Sequence, residues 1–236
     1  MSKVVLITGA GRGIGLELTK QLASSGWVVF ATCRSSTADL DSINLNGGHV
    51  ISDVDVTSKD GISNIISAIK KTKLDLLINN AGVLGTESLD SLDVVSMMQQ
   101  FEVNSLSPLL ITAALLENGN LLSGSKITMV SSMEGSLSNR GVGGVYGYRM
   151  SKAALNMGSV LLAKDLEPKG ISVLIIHPGS VDTDMYDKFV SKVGASFSSV
   201  ILTTSESAKC IIQRIEITNV ASSGKFFDVT GEEIAW

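Results

Sequence analysis

"VVLITGAGRGIG", residues 4–15, is where the reading of the chain starts. Val4–Thr8 is a short β-branched run that reads as a strand. Leu16–Ser25 carries Leu18, Leu22 and Ala23 at helical spacing. Between them stand Gly9, Gly13 and Gly15. Glycine lets a backbone turn sharply and come close to a phosphate. The helix that follows offers free N–H groups and the positive end of its dipole to an anion. The spacing is T-G-x-x-x-G-x-G, with Ile14 standing where the usual G-x-G-x-x-G fingerprint has its last glycine. A flexible turn would also use glycines, but the place of these, at the first strand–helix junction, favours a phosphate cradle.

Outward from this stretch the alternation repeats. Trp27–Ala31, His49–Asp53, Leu74–Ile78, Lys126–Val130, Ile171–Ile176 and Lys225–Val229 read as strands. Ile62–Lys71, Leu92–Val103, Leu106–Leu116, Ser151–Asp165 and Thr203–Ile215 read as helices. The last of these opens on a capping-box pattern, Thr203 followed three residues later by Glu206. Such alternation with continuous apolar strands predicts an α/β fold: one Rossmann-like, doubly wound parallel sheet with helices on both faces. No linker, repeat or low-complexity tract interrupts it, so residues 1–236 are expected to form a single domain. Sheets of this kind bind ligands beyond the carboxyl ends of their strands. The segments after Thr8, Ala31, Ile78, Val130 and Ile176 are therefore the places to look for chemistry.

Composition narrows the partners. Hydrophobic residues make up 44% of the 236, enough for a sizeable core. A net charge of −4, from 19 basic and 23 acidic residues, is too small to argue for a nucleic acid or a membrane surface, and neither is expected as a partner. No apolar run approaches the roughly 20 residues that span a bilayer, and the N-terminus lacks the pattern of a secretory signal. Cys33 and Cys210 make neither a disulfide framework nor a metal cluster, and His49 and His177 are far apart in sequence. A reducing, cytoplasmic setting without a metal is expected.

"GVYGYRMSKAAL", residues 144–155, holds two tyrosines, and only one has a cation one helical turn on. Tyr148 and Lys152 are four apart and share a helix face, whereas Tyr146 has Met150 at that place. A phenol titrates at about 10 in isolation, and a nearby cation lowers that value. Tyr148 is therefore the candidate proton donor, and Tyr146 is left as a pocket wall. Arg149 points to another face and reads as solvated.

Together these motifs resemble the short-chain dehydrogenases/reductases over essentially the whole chain. The glycine turn matches that family at Thr8, Gly9, Gly13, Ile14 and Gly15, and Tyr148-x-x-x-Lys152 matches its catalytic pair. The resemblance implies NADP(H)- or NAD-dependent oxidoreduction. It also implies that Lys152 bonds the nicotinamide ribose and lowers the Tyr148 pKa. "MVSSMEG" supplies the family's carbonyl-binding serine, carried over to Ser132, with Ser131 structural. Asn104 in "FEVNSLSP" matches the asparagine whose main chain holds a water linked to the lysine. A local hydrogen bond inside a helix is its other reading. Asp55 and Val56 match the adenine contact, with Asp53 as competitor. In "INNAG", Asn79 stabilises the sheet while Asn80, Ala81 and Gly82 border the cofactor. After the sixth strand, Pro178 and Gly179 make a sharp turn, and Val181 and Thr183 meet the carboxamide or phosphate. His177, where the family often has Asn, is read as structural.

The second strand ends without the acid that would select NAD; Thr32 stands there, and Arg34 follows. With Arg12 in the glycine turn, two guanidinium groups suit a 2′-phosphate and hence NADP(H), unless both are simply solvated. "YRMSKAALNM" and "GKFFDVTGEEIAW" are similar to the branch of sniffer-type carbonyl reductases and bacterial C-factor proteins, as is the long interval from Ser132 to Tyr148. This branch implies reduction of small aldehydes or ketones with NADPH, and family habit implies a homodimer or homotetramer. The carbonyl pocket is expected between residues 133–146 and a flap at 185–201, with Tyr186, Phe189 and Phe197 as its few aromatics. Two rivals are an NAD-dependent alcohol dehydrogenase and a dinucleotide-binding sensor without turnover. The full set Asn104, Ser132, Tyr148 and Lys152 favours an enzyme.

Overall fold

A computed structural model describes residues 2–139, 143–193 and 200–236. Seven strands form one parallel sheet: β1 (Val4–Ile7), β2 (Val28–Thr32), β3 (Val50–Ile51), β4 (Leu74–Asn79), β5 (Leu121–Val130), β6 (Ser172–Ile176) and β7 (Phe226–Phe227). Their order is β3-β2-β1-β4-β5-β6-β7, every neighbour pair parallel. The order changes direction between β1 and β4, where Val5 sits opposite Leu76 and Ile7 opposite Ile78. That crevice is the switch point at which such sheets bind ligands.

The strand period of two sends alternate residues to two cores. Leu6, Leu77, Ile127, Val173 and Ile175 face one side. There they meet Ile65 and Ile69 of α3 (Lys59–Ile69), Ile111 and Leu115 of α5 (Ser107–Glu117), and Leu155 and Leu166 of α6 (Tyr146–Leu166). Val5, Ile7, Ile78, Leu174 and Ile176 face the other. Leu18 and Leu22 of α1 (Gly13–Ser24), Leu40 of α2 (Ala38–Asp41), and Ile211 and Ile215 of α8 (Thr204–Ile217) cover them. Fully burying each such side chain contributes about 1.5–3 kcal/mol, so both faces are held by apolar burial and the doubly wound reading stands.

Besides the short helix α2, which is not among those expected, the helices differ from expectation in three places. First, α6 begins at Tyr146, five residues before Ser151, so both tyrosines lie in its first turn. Second, the segment expected as a flap contains a helix, α7 (Asp184–Val193), with Met185, Phe189 and Val193 on one face; residues 194–199, which include Phe197, lie outside the described residues. Third, the run between α4 (Val94–Phe101) and α5 is not a break but a π-helical turn, Glu102–Leu106. The capping box of α8 is present: Glu206 N–H donates to Thr203 Oγ1 at 3.2 Å, and Thr203 N–H donates to Glu206 Oε2 at 2.8 Å. Among the described residues no helix is long and apolar enough to cross a membrane.

Candidate active site

The glycine turn lies at the carboxyl end of β1 and is tied to the end of β4. Thr8 Oγ1 accepts the N–H groups of Asn80 and Ala81 at 3.0 and 3.1 Å. Asn80 Nδ2 donates to the carbonyls of Thr8 and Gly9 at 3.0 and 3.1 Å. Gly9 has a φ of +68°, and a Cβ there would stand 2.8 Å from Ala81 Cα. Gly15 packs against the Gly9 carbonyl so closely that a Cβ has no room. Arg12, the N-cap of α1, makes no side-chain cap, so the first N–H groups of the helix stay open to an anion. A backbone cradle that side chains would fill, with uncapped donors at its end, fits a dinucleotide pyrophosphate.

Other expected cofactor residues ring the same end of the sheet. Ile14 is partly buried against the α1 core and shapes the turn from beneath. Arg34 is exposed beyond β2, near enough to Asp55 to help lower its pKa. The main cause of that lowering is Thr57, whose N–H and Oγ1 both donate to Asp55 Oδ1 at 2.9 and 2.7 Å. Asp55 is thus held as an ordered, exposed acceptor, while Val56 is buried. Gly82 sits where a Cβ would be 3.8 Å from Lys152 Nζ. Pro178 O accepts Ser207 Oγ at 2.7 Å, and Gly179 turns with a φ of +85°. Val181 bridges to Leu202, and Thr183 lies across from Gly13, whose Cβ would be 3.6 Å from it. Arg12 reaches the same region and pairs with Asp184 at 3.2 Å across the solvent.

The catalytic candidates meet at the end of β5. Ser132 caps a short 3-10 turn, Met133–Gly135, and its hydroxyl bonds the Tyr148 phenol. Ser131 is turned away and bonds Asn156 Oδ1 at 2.5 Å, a structural role. Lys152 Nζ donates to the Val130 carbonyl at 2.8 Å and stands 5.8 Å from the centre of the Tyr148 ring. Asn104 is fully buried in the π-helical turn. Its side chain is spent on Val83, at 2.8 and 2.9 Å, and on Ser151 Oγ at 2.9 Å. Any part of Asn104 in proton traffic therefore falls to its main chain.

Burial governs the electrostatics. It pushes Tyr148 up to about 12, against the hydrogen bond from Ser132 and with a further push from the Glu134 carboxylate. It pushes Lys152 down to about 8. In the protein alone desolvation is the largest influence on the phenol, and Lys152 is bonded to the Val130 carbonyl. Tyr148 consequently rests protonated, the form a proton donor needs. His177 is pushed down to about 4 by burial, and its Nδ1 is shut away without a partner. Burial keeps it neutral.

Two features escaped the sequence. Arg149 is not solvated: its Nη2 lies 2.6 Å from Glu134 Oε2, with the two side chains only 20% and 14% exposed. Leu84 and Val145 pack with Tyr148, and Met185, Phe189 and Val193 of α7 cover them. The spacing 185, 189, 193 was a signal for that cover, masked by the Ser- and Gly-rich residues after it. The chain end also reaches this region. Ser136 Oγ donates to Ala235 O at 2.6 Å, Ser138 N–H donates to Trp236 O at 3.0 Å, and Trp236 stacks on Phe226. The glycine-rich approach to Tyr146 falls partly outside the described residues, at 140–142.

Comparison with known proteins adds four findings. The family profile "short chain dehydrogenase" matches residues 3–194. A Rhodococcus sp. (strain AD45) protein named 1-hydroxy-2-glutathionyl-2-methyl-3-butene dehydrogenase is 34% identical over 98% of this chain and 99% of its own length. Among solved structures, an NADPH-bound carbonyl reductase from chicken fatty liver superposes with a TM-score of 0.84 at 29% identity, covering 100% of this chain and 99% of the other. The D. melanogaster carbonyl reductase Sniffer superposes with a TM-score of 0.81 at 27% identity over all of both chains.

Proposed function

The chain belongs to the short-chain dehydrogenase family, and from that premise we propose that it reduces small aldehydes and ketones with NADPH, using Tyr148 as proton donor. The observation that carries this reading is the meeting of Ser132, Tyr148 and Lys152 at the carboxyl end of β5, beside the glycine cradle. NADPH, when bound, supplies the hydride to the carbonyl carbon. The turn Gly9–Gly15 would hold its pyrophosphate, Arg12 and Arg34 its 2′-phosphate, and Asp55 and Val56 its adenine. Asn80, Ala81, Gly82, Lys152, Pro178, Gly179, Val181 and Thr183 would border the ribose and nicotinamide.

The chain's own groups do the rest. Ser132 Oγ orients and polarises the carbonyl oxygen as charge gathers there. Tyr148 gives that oxygen a proton. Lys152, with its pKa near 8, holds an exchangeable proton one helical turn away. Leu84, Val145, Met185 and Phe189 give the substrate an apolar wall that keeps water from the phenol. Among the described residues the wall packed on Tyr148 is apolar, which supports small apolar carbonyls as substrates. A cytoplasmic setting and a homodimer or homotetramer complete the proposal. The free cysteines support the first. The exposed Leu106, Leu110, Met157 and Leu161 support the second, and sedimentation velocity tests it.

The deciding experiment measures NADPH consumption over a panel of aldehydes, ketones and quinones with the protein and with Tyr148→Phe. The variant is expected to lose on the order of 10²–10⁴-fold in kcat while binding NADPH as before. Near-normal turnover in Tyr148→Phe would refute the role.

A further inference from the structure

We propose that Glu134 and Arg149 form a positioning clamp for this site, locking the turn that carries Ser132 onto the helix turn that carries Tyr148; this rests on the assignment of Ser132 and Tyr148 above. Each member stands beside a reacting residue in sequence. Glu134 is two residues after Ser132, and its N–H donates to Ser132 Oγ at 3.2 Å. Arg149 directly follows Tyr148. Their 2.6 Å ion pair is mostly withdrawn from water, where charges attract more strongly than on a surface.

The rest of the turn shows how little slack the clamp leaves. Gly135 lies flat on α6: a Cβ there would stand 2.7 Å from the Lys152 carbonyl carbon. Asn156 Nδ2 donates to the Gly135 carbonyl at 3.2 Å, while Asn139 Nδ2 donates to Glu134 Oε1 at 3.3 Å. The apposition at Gly135 fixes the spacing between turn and helix. Glu134–Arg149 ties the turn to the first turn of α6 at a second point, and so sets where Ser132 Oγ sits against the phenol.

The clamp also places charge. Glu134 disfavours the phenolate and Arg149 opposes Glu134. The other charged group on α6 near the phenol is Lys152. From the chain after β4 comes Glu87, whose Oε1 is taken up by Ser96 and Gln100 at 2.6 and 2.7 Å. From α7 come Asp187, Lys188 and Lys192, on the helix whose Met185, Phe189 and Val193 face Tyr148.

The test is a spectrophotometric titration of the phenolate band, with and without NADP⁺, in the protein and in Glu134→Gln, Arg149→Gln and the double variant. The chain has three tyrosines, so subtracting the Tyr148→Phe spectrum isolates one phenol. Glu134→Gln is expected to lower the midpoint and Arg149→Gln to raise it, each by on the order of half a pH unit. The double variant, which strands no buried charge, is expected to return the midpoint near its starting value. It is also expected to lower kcat for the fastest aldehyde of the panel about tenfold, since misplaced groups react slowly. Opposite shifts of one phenol are not what a merely structural pair would give. Unmoved midpoints in the single variants, or full kcat in the double variant, would overturn the clamp. If the single variants do not fold, kcat of the double variant decides. High activity in Tyr148→Phe would remove the clamp together with the site reading, and is recognised separately from a failure of the clamp alone.

Discussion

At the scale of single residues, burial that outweighs local partners recurs. Tyr148, Lys152 and His177 are all driven toward their neutral forms by loss of water. For His177 this has a consequence for stability. Its folded pKa, about 4, lies below the ordinary value of 6.5, so the unfolded chain binds the proton more readily. The stabilisation is therefore complete above about pH 6.5 and is lost as pH falls toward 4. It is on the order of 3 kcal/mol. Thermal melts across that range should flatten in His177→Asn relative to the parent; parallel curves would show that the histidine is not responsible. The strand-end place of this residue and the shared helix of Tyr148 and Lys152 could be read from sequence because each needs only local information: a strand end, or a spacing of four on a helix. The Glu134–Arg149 contact could not be read, since it joins two surface-type residues across a turn, with no periodicity to mark it.

At the scale of elements, the 3-10 turn and α6 act as one piece, and Gly135 is where they touch. A side chain at 135 would press on the Lys152 backbone, at 2.7 Å from its carbonyl carbon and 2.9 Å from its oxygen. Backbone on both sides cannot yield as a flexible side chain can. Gly135→Ala is expected to cost about 1–3 kcal/mol and to lower kcat by a larger factor than it weakens NADPH, because the pyrophosphate cradle lies elsewhere while Lys152 is displaced. Calorimetry and a cofactor titration on one preparation check both halves. Sequence located most elements by their apolar periods but not their ends. α6 gained its first turn because Val145, with a φ of 45°, turns the chain directly into the helix. The π-helical turn differs from an α-helix by a single step in hydrogen bonding, which no side-chain pattern records. β3 shrinks to Val50–Ile51 because only those two residues pair with β2.

At the scale of the whole molecule, the fold was legible because strand alternation feeds two cores that each need only the right apolar positions. The site is harder to read, since it gathers residues from the ends of β1, β2, β4, β5 and β6. A cofactor that spans those ends should stabilise the entire sheet. NADPH at a hundred times its Kd is expected to add about 2.7 kcal/mol, seen as a rise in Tm, with NADH giving less at equal concentration. Arg34→Ala should weaken NADPH while leaving NADH binding as it was. An equal loss for both cofactors would dissociate Arg34 from the 2′-phosphate.

The stacking of Trp236 on Phe226, 5.7 Å between ring centres, gives the protein a built-in optical gauge. Of its two tryptophans, Trp27 lies at the opposite end of the strands beneath Lys3. Trp236 hangs from the residues that follow the serine turn, through Ser136 and Ser138. With Trp27 replaced by phenylalanine, a single emitter remains. Its brightness and colour then report how the chain end is seated on Ser136, Ser138 and Phe226, with no dye attached and no turnover required.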